Sequence, residues 1–391
     1  MRKLLLAALG ALLCATPGGA QLPHLMPAGS LWIDVNYPKL FWTPTEGLTA
    51  GGYLAFIRQL SLDNADAPPP YAGSVALNGQ ISTSGSRELT LEGRFPALAP
   101  GWRIVGTLDA SRAARANYVG IGNATVYDGD LATGAQEHFY QAVETRWVAR
   151  GEIQRRLTGG LRALAGFHAE RWGMGTLTGP SVLATDLAGG ADPTLGRNTT
   201  DLTVRGGLVF DTRDDEPAAN RGVLLEAIHA LSAGGDLDYS RTTVSASGYV
   251  PVGEQLVLSA RALAQGMGGT PRVGSYHLIE ASDRPFTGLG GALSHRALMA
   301  NRFLGRDKIL LNLDARYHVV NLPRAARASI LVFFDAGRVF EGEPFKLTTT
   351  DLKVGGGIGL FAQLGRAGII GTTAGVGPDG VVFDFATRWI Y

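Results

Sequence analysis

The sequence is almost without cysteine: Cys14 is the only one among 391 residues. It lies in an apolar stretch near the N-terminus, so the rest of the chain can form neither a disulfide nor a thiolate metal site. Strong net charge is also missing, because 35 basic residues face 34 acidic ones, and nothing in this balance indicates nucleic-acid binding. Beyond the N-terminal stretch, no apolar run approaches the ~20 residues of a membrane-spanning helix.

The N-terminus predicts export. Arg2 and Lys3 precede an apolar run, 4–15, and small residues lead up to Ala20. This order is typical of a secretory signal cut after Ala20, and the run is too short for an anchoring helix, the alternative. We therefore expect a signal peptide over 1–20, a short periplasmic segment over 21–30 and the folded unit over 31–391.

Alternation of apolar and polar residues recurs along the exported part. In KILLNLDARYHV, Ile309, Leu311 and Leu313 would share one face, and Asn312, Asp314 and Arg316 the other. Period two predicts strands, although a soluble sandwich would alternate as well. Helical patterns are almost absent. High glycine, moderate hydropathy and export together favour an outer-membrane barrel.

Sixteen segments qualify as strands, an even number, as single-chain bacterial barrels prefer. They are 31–42, 50–62, 71–83, 87–96, 101–112, 138–149, 159–173, 200–213, 221–233, 240–252, 255–268, 307–320, 324–340, 351–364, 367–377 and 381–391. The predicted fold class is all-β, a sixteen-stranded antiparallel transmembrane β-barrel.

The lengths of the connections support this topology. With the N-terminus in the periplasm, the long connections 113–137, 174–199 and 269–306 all fall outside the cell, whereas turns such as ALAPG and PVGE fall inside. Long outer loops and short periplasmic turns are the expected asymmetry. The compact outer turn SGSR and the longer inner LDNADAPPP are exceptions. The last segment, VVFDFATRWIY, ends in Tyr391, which suits an aromatic girdle; a soluble edge strand is the alternative.

Several motifs resemble one family. The stretch DTRDDEPAANRG resembles the D-T-R-D…P…R-G segment of the BamA/TamA superfamily of outer-membrane assembly barrels, also called bacterial surface antigens. Its matching residues are Asp211, Arg213, Asp214, Arg221 and Gly222. FFDAGRVF, with Asp335 and Gly337, resembles the family's F-x-D-x-G strand. WTPTEG, YVGIGN and LSHRALMANRFLGRDKILLNLDARY are similar to further family segments, so the resemblance covers nearly the whole exported chain.

The resemblance implies a role for the longest loop. In the family this extracellular loop folds back into the lumen, and the arginine at its tip pairs with the aspartate of the F-x-D-x-G strand. Here these would be Arg296 and Asp335, and Arg296 as a solvated loop residue is the alternative. The chain departs from the pattern at Ala297 and Leu298, where the family has glycine and an aromatic residue, so the tip is expected to dock differently.

The resemblance also implies a function. Family members that insert other proteins carry periplasmic POTRA domains, whereas only 21–30 precedes the first strand here. We therefore expect a barrel-only member, with a separate periplasmic partner in place of its own capture domains. A lateral seam between the first and last strands is expected near Pro38, which donates no ladder hydrogen bond, and Tyr391. Pro38 as an ordinary strand start is the alternative.

The expected activity is non-enzymatic: assisting insertion or translocation of proteins, or of lipids, at the outer membrane. A passive channel is the first alternative and a barrel hydrolase the second. No G-x-S-x-G turn, H-E-x-x-H motif or phosphate-binding loop is present in the sequence. We expect no cofactor and no metal. The expected partners are outer-membrane lipids and, through the C-terminal strand, the outer-membrane assembly machinery.

Overall fold

Sixteen long strands form one antiparallel sheet in the computed structural model, which describes residues 32–43, 45–60, 67–322, 325–342 and 347–387. The strands are β1 (Trp32–Thr43), β2 (Gly47–Arg58), β3 (Gly73–Ser82), β4 (Arg87–Ala99), β5 (Trp102–Asn117), β6 (Gln141–Thr158), β7 (Leu161–Gly175), β8 (Asn198–Asp211), β9 (Gly222–Gly235), β10 (Asp238–Val252), β11 (Leu256–Thr270), the short β12 (Leu278–Ile279) and β13 (Phe286–Thr287), β14 (Asp307–Leu322), β15 (Ala326–Phe340), β16 (Lys353–Leu364), β17 (Gly368–Gly377) and β18 (Gly380–Ala386).

Neighbours in the sheet are neighbours in the chain. Each long strand pairs antiparallel with the next, and β11 pairs with β14 across the longest loop, within which β12 and β13 form a separate small hairpin. The prediction of a sixteen-stranded antiparallel transmembrane barrel is confirmed, and each predicted segment overlaps one long strand. The predicted signal peptide and the segment 21–30 lie outside the described residues.

The wall of the barrel is apolar outside and polar inside. On β8, Val204 and Leu208 are about half exposed, whereas Thr203 and Arg205 are buried. Apolar residues outside and polar residues inside are the reverse of a soluble protein. This arrangement suits a wall that faces lipid, because a lysine or arginine on the lipid face costs about 2–4 kcal/mol at the middle of the membrane. Charged residues therefore collect on the inward positions of the strands.

The largest boundary error of the prediction is at β6. The predicted segment was 138–149, but the strand continues to Thr158. Arg150, Glu152 and Gln154, which lie beyond the predicted end, are buried and face the lumen. The alternation of polar and apolar residues continues through these positions, and the predicted end at 149 was therefore too early.

One α-helix was not predicted. It is α1 (Val182–Gly189), in the outer connection between β7 and β8. The Ser181 hydroxyl accepts a hydrogen bond from the Ala184 amide, and Gly190, with φ +66°, ends the helix. Leu183 is buried in an apolar cluster with Trp172 and other residues at the outer end of the barrel. In the part of the chain that the structure describes, no helix has the length and apolar character needed to cross a membrane.

Candidate functional site: a lumen crossed by one long loop

The connection between β11 and β14, residues 271–306, is here called the lumenal loop. It folds into the barrel, as predicted: Leu289, Ser294, His295, Ala297 and Leu298 are fully buried. A loop of this length in an ordered protein is usually functional. Its contacts with the wall define the candidate site.

The structure places Arg296 against Asp335. The Arg296 Nη2 and Nε atoms lie 2.6 and 3.0 Å from the two oxygens of Asp335, and the Arg296 backbone amide donates to the same carboxylate at 2.7 Å. Nη2 also lies 2.6 Å from Asp314 Oδ1. The guanidinium stacks on the ring of Phe333, 4.1 Å from its centroid, and Asn312 donates to Asp335 at 2.7 Å. Arg296 is thus buried between two carboxylates that both accept from it, and its role as a latch stays a prediction.

The neighbouring His295 attaches the lumenal loop to β16. Burial lowers the pKa of His295 below its ordinary value, so the ring is neutral at pH 7. Its Nε2 atom lies 2.9 Å from the Lys353 carbonyl oxygen, which requires the proton on Nε2. This contact ties the loop to the start of β16 without adding a charge.

The strands make room for Ala297, at the position where the family has glycine. A Cβ at Gly355 would lie 2.4 Å from the Ala297 Cβ, and one at Gly375 would lie 2.8 Å from the Ala297 Cα. Leu298 fills an apolar cluster with Leu289 and other buried residues. Ala297 is larger than the glycine of the family, but Gly355 on β16 and Gly375 on β17 have no side chains in its way. The loop therefore still packs closely against these strands.

A second anchor, which the sequence did not predict, lies at Glu280. Arg150 donates to Glu280 Oε1 at 2.5 Å, Arg205 also pairs with this oxygen, and Arg241 Nη1 lies 3.9 Å from Oε2. Burial opposes ionisation of Glu280, but the arginines outweigh it and hold the pKa of Glu280 well below its ordinary value. The loop is therefore held by β6, β8 and β10 at this point.

Asp283 and Arg284 extend this anchor to β4 and β5, the two strands before β6 in the sheet. Asp283 Oδ2 lies 2.6 Å from Arg94 Nη2 and 3.4 Å from Arg103 Nη1. Arg284 pairs with Glu92 on β4. These partners are more than 150 positions away in the chain, so no local pattern could pair them. In the sequence, only the charged residues of the loop indicated that it could form ion pairs.

A third contact holds the outer end of the loop. Arg302 pairs with Asp379, in the turn between β17 and β18, and its Nη1 donates to the Thr125 hydroxyl at 2.8 Å. Beside it, the Gly122 amide donates to the Leu304 carbonyl at 2.7 Å. The segment YVGIGN therefore lies against the lumenal loop, and one arginine connects that loop to the final hairpin.

The motif DTRDDEPAANRG builds the periplasmic turn between β8 and β9. Asp211 accepts from Arg213 Nη2 at 2.9 Å, and Asp214 Oδ1 accepts from the Arg221 amide at 3.1 Å. Gly222 has φ +109°, which favours glycine, and a Cβ there would lie 2.8 Å from the Arg213 Cα. The structure places these motif residues at the periplasmic end, apart from Arg296 and Asp335.

This turn and the connection between β2 and β3 lie across the periplasmic mouth. Glu216 pairs with Arg103 on the inner wall, and its amide donates to the Pro68 carbonyl at 3.1 Å. Arg366, in the turn between β16 and β17, donates to the Ala67 carbonyl at 2.5 Å. The proline-rich stretch 67–70, part of the long inner connection noted in the sequence, therefore joins turns from distant parts of the barrel.

Three further residues were predicted to matter: Gly337, Pro38 and Tyr391. A Cβ at Gly337 would lie 2.7 Å from Leu289 Cδ1, so this glycine admits the lumenal loop. Pro38 lies in the middle of β1, opposite Gly52, so the alternative that it starts the strand is wrong. Tyr391 lies outside the described residues, and the seam between β1 and β18 stays a prediction. Within the described ranges, no cluster of three or more metal-ligating side chains is found.

Comparison with known proteins agrees with this architecture. The Omp85 superfamily domain matches residues 123–370. The fold is similar to that of BamA from Haemophilus ducreyi lacking POTRA domains 1–3, with TM-score 0.53 and 14% identity over 91% of this chain and 68% of that one. It is also similar to CdiB from Escherichia coli, with TM-score 0.56 and 14% identity over 94% of this chain and 62% of that one.

The chain thus spans about two thirds of the length of these solved proteins. No curated protein sequence matches it significantly. The domain match covers well over half of the chain and includes the lumenal loop, Arg296 and Asp335. The chain belongs to the Omp85 superfamily and is a β-barrel of the bacterial outer membrane.

Proposed function

We propose that this barrel assists the insertion or translocation of proteins, or of lipids, at the outer membrane, without enzymatic chemistry. The observation that carries the proposal is membership of the Omp85 superfamily over a region that contains the lumenal loop. The resemblance to outer-membrane assembly barrels implies the activity. The buried contacts of Arg296 support a loop that is held inside the lumen in a defined position.

The work in this proposal comes from strand pairing. A free strand edge offers unpaired amides and carbonyls to another chain. Opening of the seam between β1 and β18 would expose such edges, and Pro38, which lacks an amide hydrogen, leaves one ladder bond fewer on β1. A separate periplasmic partner would deliver the substrate chain, and the C-terminal strand with Tyr391 would engage the outer-membrane assembly machinery.

The first test compares outer membranes from cells with and without the protein. Loss of particular outer-membrane or exported proteins is the expected result. Normal protein content with reduced entry of small solutes would instead identify a passive channel, and chemically altered lipids would identify an enzyme.

The second test locks the seam. The chain has one cysteine, Cys14, in the predicted signal peptide, so two introduced cysteines form a defined disulfide. A disulfide between β1 and β18 should abolish activity. The matched control is a disulfide between His229→Cys and Thr242→Cys, which are paired on β9 and β10. Full activity with the locked seam would contradict the gate.

A further inference from the structure

Trp147 and Arg171 lie side by side on the outer wall of the barrel. They are partners in the ladder between β6 and β7. The Trp147 side chain is 64% exposed, and Arg171 is exposed as well. On β7 the inward neighbours Glu170 and Trp172 are buried, so Arg171 points outward, away from the lumen. An arginine on the lipid-facing wall needs a physical explanation.

The depth of the pair provides the first part of that explanation. A second tryptophan–arginine pair, Trp102 and Arg155, lies toward the periplasmic end of the same wall. A rise of about 3.3 Å per residue and a tilt near 40° put Trp147 roughly 20 Å above Arg155 along β6. This separation approaches the ~25 Å apolar band of an outer-membrane barrel, so the two pairs mark its two boundaries. Arg171 therefore lies at the level of the outer-leaflet headgroups.

The two arginines differ in their partners. The Arg155 guanidinium stacks on Trp102, 4.9 Å from the ring centroid, and donates to the Pro100 carbonyl at 3.3 Å. The Arg171 side chain has neither an ion pair nor a hydrogen bond to any residue that the structure describes. Its planar group of five N–H donors matches the geometry of a phosphate. Arg155 is satisfied by the protein, whereas Arg171 is open to a ligand.

The wall is hollow beside Arg171. A cavity of about 500 Å³ is lined by Thr145, Trp147, Arg171 and Asn198, all on outward positions of β6, β7 and β8. Gly173 pairs with both Thr145 and Asn198, and a Cβ there would lie 3.1 Å from Asn198 Cγ. The missing side chain thus helps to form the hollow. A hydroxyl, an amide and a guanidinium meet around it.

We propose that this hollow binds the phosphate of a phosphorylated lipid of the outer leaflet. Arg171 pairs with the phosphate, and Thr145 and Asn198 offer further hydrogen bonds. The lipid is favoured over free phosphate because the hollow opens on the lipid-facing wall. Toward the periplasmic side, the exposed apolar side chains of Ile153 and Phe167 offer a surface for acyl chains. The site is independent of the insertion activity proposed above.

Native mass spectrometry of the full barrel in mild detergent tests the proposal, with diphosphorylated lipid A as the probe. Loss of charge-assisted hydrogen bonds at Arg171→Gln should lower the bound fraction about tenfold. Arg155→Gln, the matched control from the opposite boundary, should leave binding unchanged. Arg171→Lys, which keeps the charge but not the planar group, should retain part of it.

Wild-type protein gives a further readout that no folding defect can mimic. Lipid A stripped of its phosphates should bind about tenfold more weakly than the intact lipid, and millimolar inorganic phosphate alone should not form a complex. Equal binding of the stripped lipid would overturn the proposal. Equal losses in Arg171→Gln and Arg155→Gln, or binding of inorganic phosphate without lipid, would overturn it as well.

Discussion

Arg296 shows how a buried arginine can be held in the lumen of a barrel. Its guanidinium meets Asp314 and Asp335 and stacks on Phe333, while Asn312 satisfies a remaining position on Asp335. Taking these charges out of water is costly, and matched hydrogen bonds offset that cost. Removal of the arginine would leave two carboxylates buried together without a cation between them.

We therefore expect Arg296→Ala to lower the free energy of unfolding by about 3–5 kcal/mol. The measurement is guanidinium-induced unfolding of the detergent-solubilised protein, followed by tryptophan fluorescence. Arg296→Lys should fall between wild type and Arg296→Ala, because an ammonium cannot form the planar, two-pronged contact. Arg272→Ala, at an exposed position of the same loop, is the control. Equal stability of Arg296→Ala and Arg272→Ala would contradict a buried latch.

The glycines of β16 and β17 allow the lumenal loop to pack closely at Ala297. The sequence showed that Ala297 and Leu298 depart from the family pattern, but it could not show what compensates. Gly355 and Gly375 lie more than 50 positions further along the chain, and their importance depends on the approach of the loop backbone. Such a contact has no signature in local sequence.

At the scale of the elements, strands were the most predictable part of the fold. Their period-two pattern is imposed by lipid on one side and a polar lumen on the other. The predicted bounds were wrong at β6, which continues past residue 149 through Arg150 and Glu152 to Thr158. It also missed α1, because one eight-residue helix presents a single buried leucine to the wall.

The lumenal loop was predictable only in part. Its length predicted importance, and the resemblance to assembly barrels supplied Arg296 and Asp335. The anchor at Glu280 and Asp283 was not predictable, because its arginine partners are spread over β4, β5, β6, β8 and β10. Only a closed barrel brings these inward positions together.

This anchor makes the stability of the loop depend on pH. The pKa values of Glu280 and Asp283 are depressed in the folded protein, by Arg150 and Arg205 for the first and by Arg94 and Arg103 for the second. Their contribution is therefore complete above the ordinary carboxyl pKa, near 4, and is lost as the pH falls below it.

We expect Glu280→Gln to unfold at lower denaturant concentration than wild type at pH 7, because Arg150 and Arg205 lose the negative charge of Glu280, although Arg205 keeps Glu152. The difference should shrink between pH 5 and pH 3, because the Glu280 carboxyl of the unfolded wild-type chain takes up a proton in this range while the folded protein keeps it charged. Unfolding midpoints at pH 7, 5 and 3 check this. Glu254→Gln, at an exposed turn, should follow the wild-type curve. A difference that stays constant down to pH 3 would show that the charge of Glu280 does not matter.

At the scale of the whole molecule, the lumen is crossed rather than open. The lumenal loop contacts β15 through Arg296, the opposite wall through Glu280 to Arg284, and the final hairpin through Arg302. At the periplasmic end, the stretch 67–70 joins turns on both sides of the mouth. This arrangement favours a barrel that acts through its wall and its seam over one that conducts solutes through a permanent pore.

Conductance across a planar lipid bilayer tests that claim most directly. The wild-type protein should show little steady current, because the loop is held at all three places. The double variant Arg296→Ala and Glu280→Gln should show frequent large openings, since both inner anchors are lost. A constant, large conductance in the wild type, altered by these substitutions only in its ion selectivity, would instead mean that the protein is a passive channel.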